Sequence, residues 1–144
     1  MENKYYVPQI EEFRVGFEYE ELIYTSVYDE RWRINIKKHI FETKTWERGF
    51  PNFQWLNTLE EGKIRVKYLD SEDIESLGFK VCTENNFIYC QYKELDFYLD
   101  YDVENKLCKI HGLYEVLFRG IIKNKSELIF ILKCIKPLIK PFKN

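Results

Sequence analysis

The chain of 144 residues contains no alanine, and glycine (6), proline (4) and methionine (1) are scarce. Alanine is the best helix former, so its absence excludes a protein built mainly of helices. The six glycines are isolated, which excludes a glycine-rich loop that cradles phosphate. Long apolar runs are missing too. The most apolar stretch, Leu128 to Leu132, is followed at once by Lys133, too short for a membrane-spanning helix. The N-terminus offers no apolar run of signal-peptide length. The four cysteines, Cys82, Cys90, Cys108 and Cys134, form no CxxC pair, and without a secretory signal they read as free thiols in a reducing compartment. No charge dominates. The formal net charge is −2, so no global field draws the protein to nucleic acid.

What is present points to strands. Aromatic residues make up 17% of the chain, hydrophobic residues 45% and charged residues 32%, a globular balance that fits a single domain over residues 1–144. Lys, Asn, Ile, Tyr and Phe account for 62 of 144 residues, the residue types of AT-rich codons, so part of the β-leaning composition reflects the genome. Charge comes in alternating blocks: acidic over 1–30 and 69–120, basic over 31–68 and 121–144. Such blocks pair within a fold or form separate surface patches.

The alternation of Phe13, Val15, Phe17 and Tyr19 with polar neighbours predicts a half-buried strand over 13–20. A β-prone run follows over 22–28, with a turn at Asp29-Glu30 and a strand in which Trp32, Ile34 and Ile36 alternate with polar residues. Gly49-Phe50-Pro51-Asn52 breaks regular structure, and Phe50, Phe53 and Trp55 are too apolar for a free loop, so they are expected to pack as a cover. Ile64, Val66 and Tyr68 mark another strand. A short helix follows, capped by Asp70 or Ser71, charged for its dipole by Glu72, Asp73 and Glu75, and stopped by Gly78. Strands at 79–83, 87–92, 97–102, 107–111 and 113–122 predict an up-and-down meander, with Asn85-Asn86 and Glu104-Asn105-Lys106 as turns and Gly120 at a bulge. Ser126 is the expected cap of a last helix, with Leu128, Ile131, Leu132 and Ile135 in one stripe and an end near Lys136, before Pro137. The expected class is α+β: a curved antiparallel β-sheet (meander) with a short central helix and a C-terminal helix.

The search for chemistry is mostly negative. Cys108 and His111 resemble half a zinc motif, but residues three apart on a strand point to opposite faces. A two-residue turn at Asn85-Asn86 sets Cys82 opposite Tyr89 and Cys90 opposite Val81, again on opposite faces. No metal and no cofactor are therefore expected. Asp96, Asp100 and Asp102 share a face with Tyr98, which suits a cation, acid–base work or a solvated strand edge. Glu-x-Lys triplets, the strand signature of restriction-type nucleases, begin at Glu2, Glu42, Glu61 and Glu104, where chance alone gives about two. No nucleophile motif occurs. These readings predict a non-catalytic protein.

Three binding surfaces stand out. Arg31, Trp32, Arg33, Lys37, Lys38, His39, Lys44, Trp46 and Arg48 interleave bases with aromatics over 31–48, a pattern that suits nucleic acid as well as a solvated strand. Arg31, Trp32, Arg33, Lys37, Lys38, Arg65 and Lys67 are the candidates for a small anionic ligand such as a nucleotide signal. Ile129, Phe130, Leu138, Ile139 and Phe142 leave the terminal segment apolar on several sides, which predicts a homodimer with that segment near its interface.

The segments Val7 to Glu20, Ile64 to Phe79 and Gly120 to Leu128 resemble a group of small uncharacterised proteins of phages and prophage-like elements of Bacteroidetes-type bacteria. The resemblance covers both ends and the middle, and residues 21–62 match nothing in it. It carries no catalytic or binding residues. It implies a setting: a phage-derived accessory protein in the cytoplasm of a bacterial host. There it would act as a binding module for a host or phage protein, with a counter-defence ligand binder as the alternative.

Overall fold

The computed structural model describes residues 4–26, 32–42, 46–47, 50–51, 53–93 and 95–135; for 24–26, 32–35, 46–47, 50–51 and 53–56 it gives the backbone path alone. The chain forms two compact units, Met1–Tyr68 and Leu69–Asn144, each with its own antiparallel sheet and core. The class is α+β with a C-terminal helix, as the sequence predicts, and the strands are shared between sheets instead of gathered in one.

The first unit runs β1 (Tyr5–Tyr6), β2 (Glu18–Ser26), β3 (Trp32–Ile40), β4 (Trp46–Glu47), β5 (Phe50–Pro51), α1 (Phe53–Glu60) and β6 (Ile64–Lys67). Its four-stranded sheet has the order β1-β6-β2-β3, and β4 and β5 form a separate two-residue ladder. Phe13, Phe17, Tyr19, Phe41, Leu59, Ile64 and Val66 make the core.

Two expectations fail in this unit for local reasons. The strand predicted from residue 13 begins only at Glu18. Phe17 N–H donates to the Arg14 carbonyl at 2.9 Å, and Gly16 takes φ +92°, so 14–17 is a turn. Phe13 and Phe17 flank that turn and meet with ring centres 4.8 Å apart, while Val15 points to solvent. The faces of β3 are also reversed near its end. His39 lies opposite buried Tyr19 and stacks on it, whereas Ile36 and Ile40 are exposed on the other side. Helix α1 spans a segment expected only as an irregular cover, although Phe53, Leu56 and Leu59 recur at helical spacing. The side chains of Phe50, Phe53 and Trp55 and the turn at Asp29-Glu30 lie outside the described residues, as do Gly49 and Asn52.

The second unit runs α2 (Ser71–Ser76), β7 (Phe79–Glu84), β8 (Phe87–Tyr92), β9 (Tyr98–Asp102), β10 (Leu107–His111), β11 (Val116–Ile121) and α3 (Lys125–Ile135). The five strands form an open meander in sequence order, β11-β10-β9-β8-β7. Two of the hairpins close at a residue of positive φ, β7–β8 at Asn85 (+54°) and β9–β10 at Lys106 (+58°). Asp70 caps α2, its Oδ1 accepting from Asp73 N–H at 2.9 Å, and Gly78 at φ +101° ends the helical segment.

One face of this sheet is the core. Ile88, Cys90, Tyr92, Leu99, Tyr101, Cys108 and Ile110 point inward and pack with Ile74 of α2 and with Leu128, Leu132 and Ile135 of α3. A fully buried Leu or Ile contributes roughly 1.5–3 kcal/mol, so the predicted stripe on α3 accounts for its docking. The Tyr101 hydroxyl donates to the Ile122 carbonyl at 2.7 Å, which satisfies two polar groups inside this apolar layer.

Two details differ from expectation. The cap of α3 is Asn124, not Ser126: Asn124 Oδ1 accepts from Glu127 N–H at 2.9 Å, and Glu127 Oε2 accepts from Lys123 N–H at 2.7 Å. The bulge of β11 falls at Leu117, between the Ile110–Phe118 and His111–Val116 pairs, and not at Gly120. Gly120 serves close packing, because a Cβ there would meet the Phe118 ring at 2.9 Å.

Candidate protein-binding face

The residues between the inward-pointing ones form a second face that no helix of the second unit covers. Strand pairing arranges it in three rows, each read from β7 to β11. The first is Glu84, Phe87, Asp102, Leu107 and Ile121; the second is Cys82, Tyr89, Asp100, Lys109 and Arg119; the third is Lys80, Gln91, Tyr98, His111 and Val116. Five of these are large apolar or aromatic residues exposed to solvent, from 37% for Leu107 to 65% for Ile121. The hairpin joining β10 and β11 adds Leu113 and Tyr114 at its tip, with Tyr114 98% exposed. The turn is held by Gly112 N–H donating to the Glu115 carbonyl at 2.9 Å.

The polar residues of the face are fixed by their neighbours. His111 Nε2 lies 3.0 Å from Asp100 Oδ2, and its Nδ1 lies 2.9 Å from the Gly112 carbonyl. The ring stacks on Tyr98, with centres 5.5 Å apart. Asp102 turns toward its own hairpin. It accepts from the side chain of Asn105 at 2.7 Å and from the amides of Asn105 and Glu104. The Asn105 side chain, and then its amide, hold the Asp102 carboxyl below its ordinary value of 3.8. Asp96 precedes β9 and accepts from the Tyr98 hydroxyl at 3.4 Å. The expected carboxylate row thus divides among separate partners. Among the described residues, no three His, Cys, Asp or Glu groups lie close enough to hold a metal ion.

The thiols behave as the register predicts. Cys82 lies opposite Tyr89 and is exposed on the outer face, and Cys90 lies opposite Val81 and is buried on the inner one. Cys108 points inward while His111 belongs to the outer face. Burial, reinforced by Asp100 and Glu75, pushes the Cys90 thiol up to about 12. Burial, with Cys90 and Asp100 beside it, pushes Cys108 up to about 12 as well.

Among the described residues, the predicted anion-binding bases Lys37, Lys38, Arg65 and Lys67 do not gather on one face. Arg31, Lys44 and Arg48 lie outside the described residues, and so do the side chains of Trp32, Arg33 and Trp46. Lys37 and Lys38 are consecutive on β3 and point to opposite faces. Lys38, Arg65 and Lys67 share one face, but Glu20 sits between the first two, opposite both in register. Arg65 Nε donates to Glu20 Oε2 at 2.8 Å, and its guanidinium lies 3.8 Å from the centre of the Tyr5 ring.

On the second unit, a cavity of about 80 Å3 between α3 and the sheet is lined by Leu77, Phe79, Tyr92, Phe97, Ile129, Leu132 and Lys133. Ligand sites commonly span roughly 300–1,000 Å3, so this one admits only a small apolar group. Of the predicted interface residues, Ile129 lines that cavity and Phe130 is 46% exposed on α3. Leu138, Ile139 and Phe142 lie outside the described residues.

The binding candidates taken from the sequence therefore omitted the outer face of the meander. A signal was present. Phe87 and Tyr89 alternate with Ile88, Cys90 and Tyr92, so β8 is apolar at both parities, and a strand buried on one side alone does not require that. No family model, curated protein or solved structure matches the chain. No described helix is long and apolar enough to cross a membrane.

Proposed function

We propose that this protein is a non-catalytic binding module that engages another protein through the outer face of its meander and the neighbouring hairpin tip. The observation that carries this reading is the exposure of Phe87, Tyr89, Leu107, Val116 and Ile121 on a sheet whose opposite face is packed by helices. Exposed apolar groups gathered on one surface mark protein contacts, and aromatic residues are favoured in them. The face carries acids and bases in nearly equal number: Glu84, Asp100 and Asp102 against Lys80, Lys109 and Arg119. That balance suits a protein partner better than a polyanion. The resemblance to phage proteins supplies the setting, an accessory protein whose partner is of host or phage origin.

A photo-reactive amino acid placed at Tyr89 or Tyr114, with a control at Lys133 on α3, tests this reading in the cells that make the protein. Discrete protein adducts from Tyr89 and Tyr114, and none from Lys133, are expected. Failure to trap any protein from the face, or the same adducts from all three positions, would contradict it.

A further inference from the structure

The geometry points to a second copy of this chain as the occupant of the outer face. The inference rests on the protein-binding reading of that face and names its partner. Its basis is the charge pattern. Strand β9 presents Asp100 and Asp102, while β10 and β11 present Lys109 and Arg119, so acid and base columns lie side by side on one surface.

Consider two such faces related by a two-fold axis that runs parallel to the strands, midway between β9 and β10. Rotation lays β9 of one copy over β10 of the other and β8 over β11, and each row stays over itself. In the middle row Asp100 meets Lys109 and Tyr89 meets Arg119. In the first row Phe87 meets Ile121, and in the third Tyr98 meets His111. Every contact occurs twice, because a two-fold interface uses the same patch on both subunits. Asp100 and Lys109 are already cross-strand neighbours within one sheet. Two copies therefore close a ring of alternating charge around the axis. Asp102, which would meet Leu107, is drawn aside by its bonds to Asn105 and Glu104.

Other placements lose the pairing of Asp100 with Lys109. An axis on β9 sets Asp100 against Asp100, and an axis on β10 sets Lys109 against Lys109. An axis between β10 and β11 sets Lys109 against Arg119. One between β8 and β9 lays Tyr89 over Asp100 and Cys82 over Lys109, so neither charge meets its opposite. An axis across the strands keeps the Asp100 column over itself and the Lys109 column over itself, so the two never meet. Like charges placed face to face are strongly disfavoured and opposite charges favoured, so the register that pairs Asp100 with Lys109 is preferred.

Aligned sheets cross at roughly 30°, which slides β8 along β11 by about 4 Å, near half of the ~7 Å between rows. The pairing near the axis survives that twist. The patch measures roughly 20 Å on a side, at the small end of specific interfaces, so the dimer is expected to be weak and reversible.

Sedimentation of the full chain with two charge variants tests this. Lys109→Glu gives a face acidic at the axis, and Asp100→Lys gives one that is basic. The wild type is expected to associate reversibly, each variant alone to lose affinity by about a hundred-fold or more, and an equimolar mixture to regain a one-to-one dimer. Circular dichroism establishes that each variant is folded. Should Asp100→Lys unfold, because His111 loses its carboxylate neighbour, Lys109→Glu and Phe87→Asp must still each abolish the dimer. A wild type that stays monomeric at its highest soluble concentration overturns the inference. A dimer that survives Lys109→Glu, or one lost in Phe130→Glu instead, overturns it as well. If the wild type is monomeric while Tyr89 still crosslinks to a different protein, the second-copy inference falls and the protein-binding reading stands. If neither is seen, both fall.

Discussion

The two faces of the meander come from alternate residues of the same five strands, and they have opposite chemistry. The inner face is aliphatic and aromatic, with two thiols and one satisfied tyrosine hydroxyl. The outer face mixes Phe87, Tyr89, Leu107, Val116 and Ile121 with three acids and three bases. An inner side chain answers to the helix packed on it. No helix of its own unit packs on the outer face, so the apolar content of that face calls for an explanation outside the unit. Stability should therefore reside on one face and association on the other.

The largest expected contrast is in thiol reactivity. With their thiols near 12, Cys90 and Cys108 hold roughly one thiolate in ten thousand at pH 8. Alkylation followed by mass spectrometry should label exposed Cys82 and Cys134 in the native protein, and Cys90 and Cys108 only after denaturation. Prompt native labelling of Cys90 would break the contrast.

Next comes stability. Leu99 is fully buried on the inner face, and Leu99→Ala should cost about 2–5 kcal/mol in denaturant unfolding. Phe87→Ala on the outer face should stay within about 1 kcal/mol. Equal costs would mean that the outer face is part of the folding core.

The docking of α3 on the inner face gives a smaller and sharper test. Asn124→Ala should cost about 0.5–2 kcal/mol, because the first turn loses its cap. Ser126→Ala should be close to neutral. The reverse order would restore Ser126 as the cap.

Smallest is an acid effect on the outer face. The folded carboxyl of Asp102 is held below its ordinary value, so its stabilisation is present above about pH 4 and is lost as pH falls through the folded value. Thermal melting should show Asp102→Ala slightly less stable than wild type near neutrality. The gap should shrink in acid. A gap that widens on acidification would contradict the hairpin role of Asp102.

The second unit was legible in the sequence because its order is local. Each alternating run pairs with the next in sequence, and the turns at Asn85-Asn86 and Glu104-Asn105-Lys106 are marked by residue type, so period and punctuation carry most of it. The first unit was legible only in part. β6 pairs with β1 and β2 across long separations, and α1 is only eight residues long and follows the break at Gly49-Phe50-Pro51-Asn52 in sequence. Phe13 and Phe17 imitated strand alternation from either side of a turn at Gly16. The outer face escaped for a different reason. The bases near residue 31 cluster in sequence, whereas Phe87, Lys109, Arg119 and Ile121 are dispersed and meet only through strand register. Asn124 was missed because Ser126 is as good a cap by residue type, and only the hydrogen bonds distinguish them.

A dilution series followed by backbone amide chemical shifts tests the central claim most directly. If the outer face is the binding face and a second copy its occupant, resonances of Phe87, Tyr89, Asp100, Lys109, Arg119 and Ile121 should move together with concentration. Those of Leu99, Tyr101, Ile110 and Leu128 should stay in place. Shifts confined to α3, or no concentration dependence at all, would contradict the account.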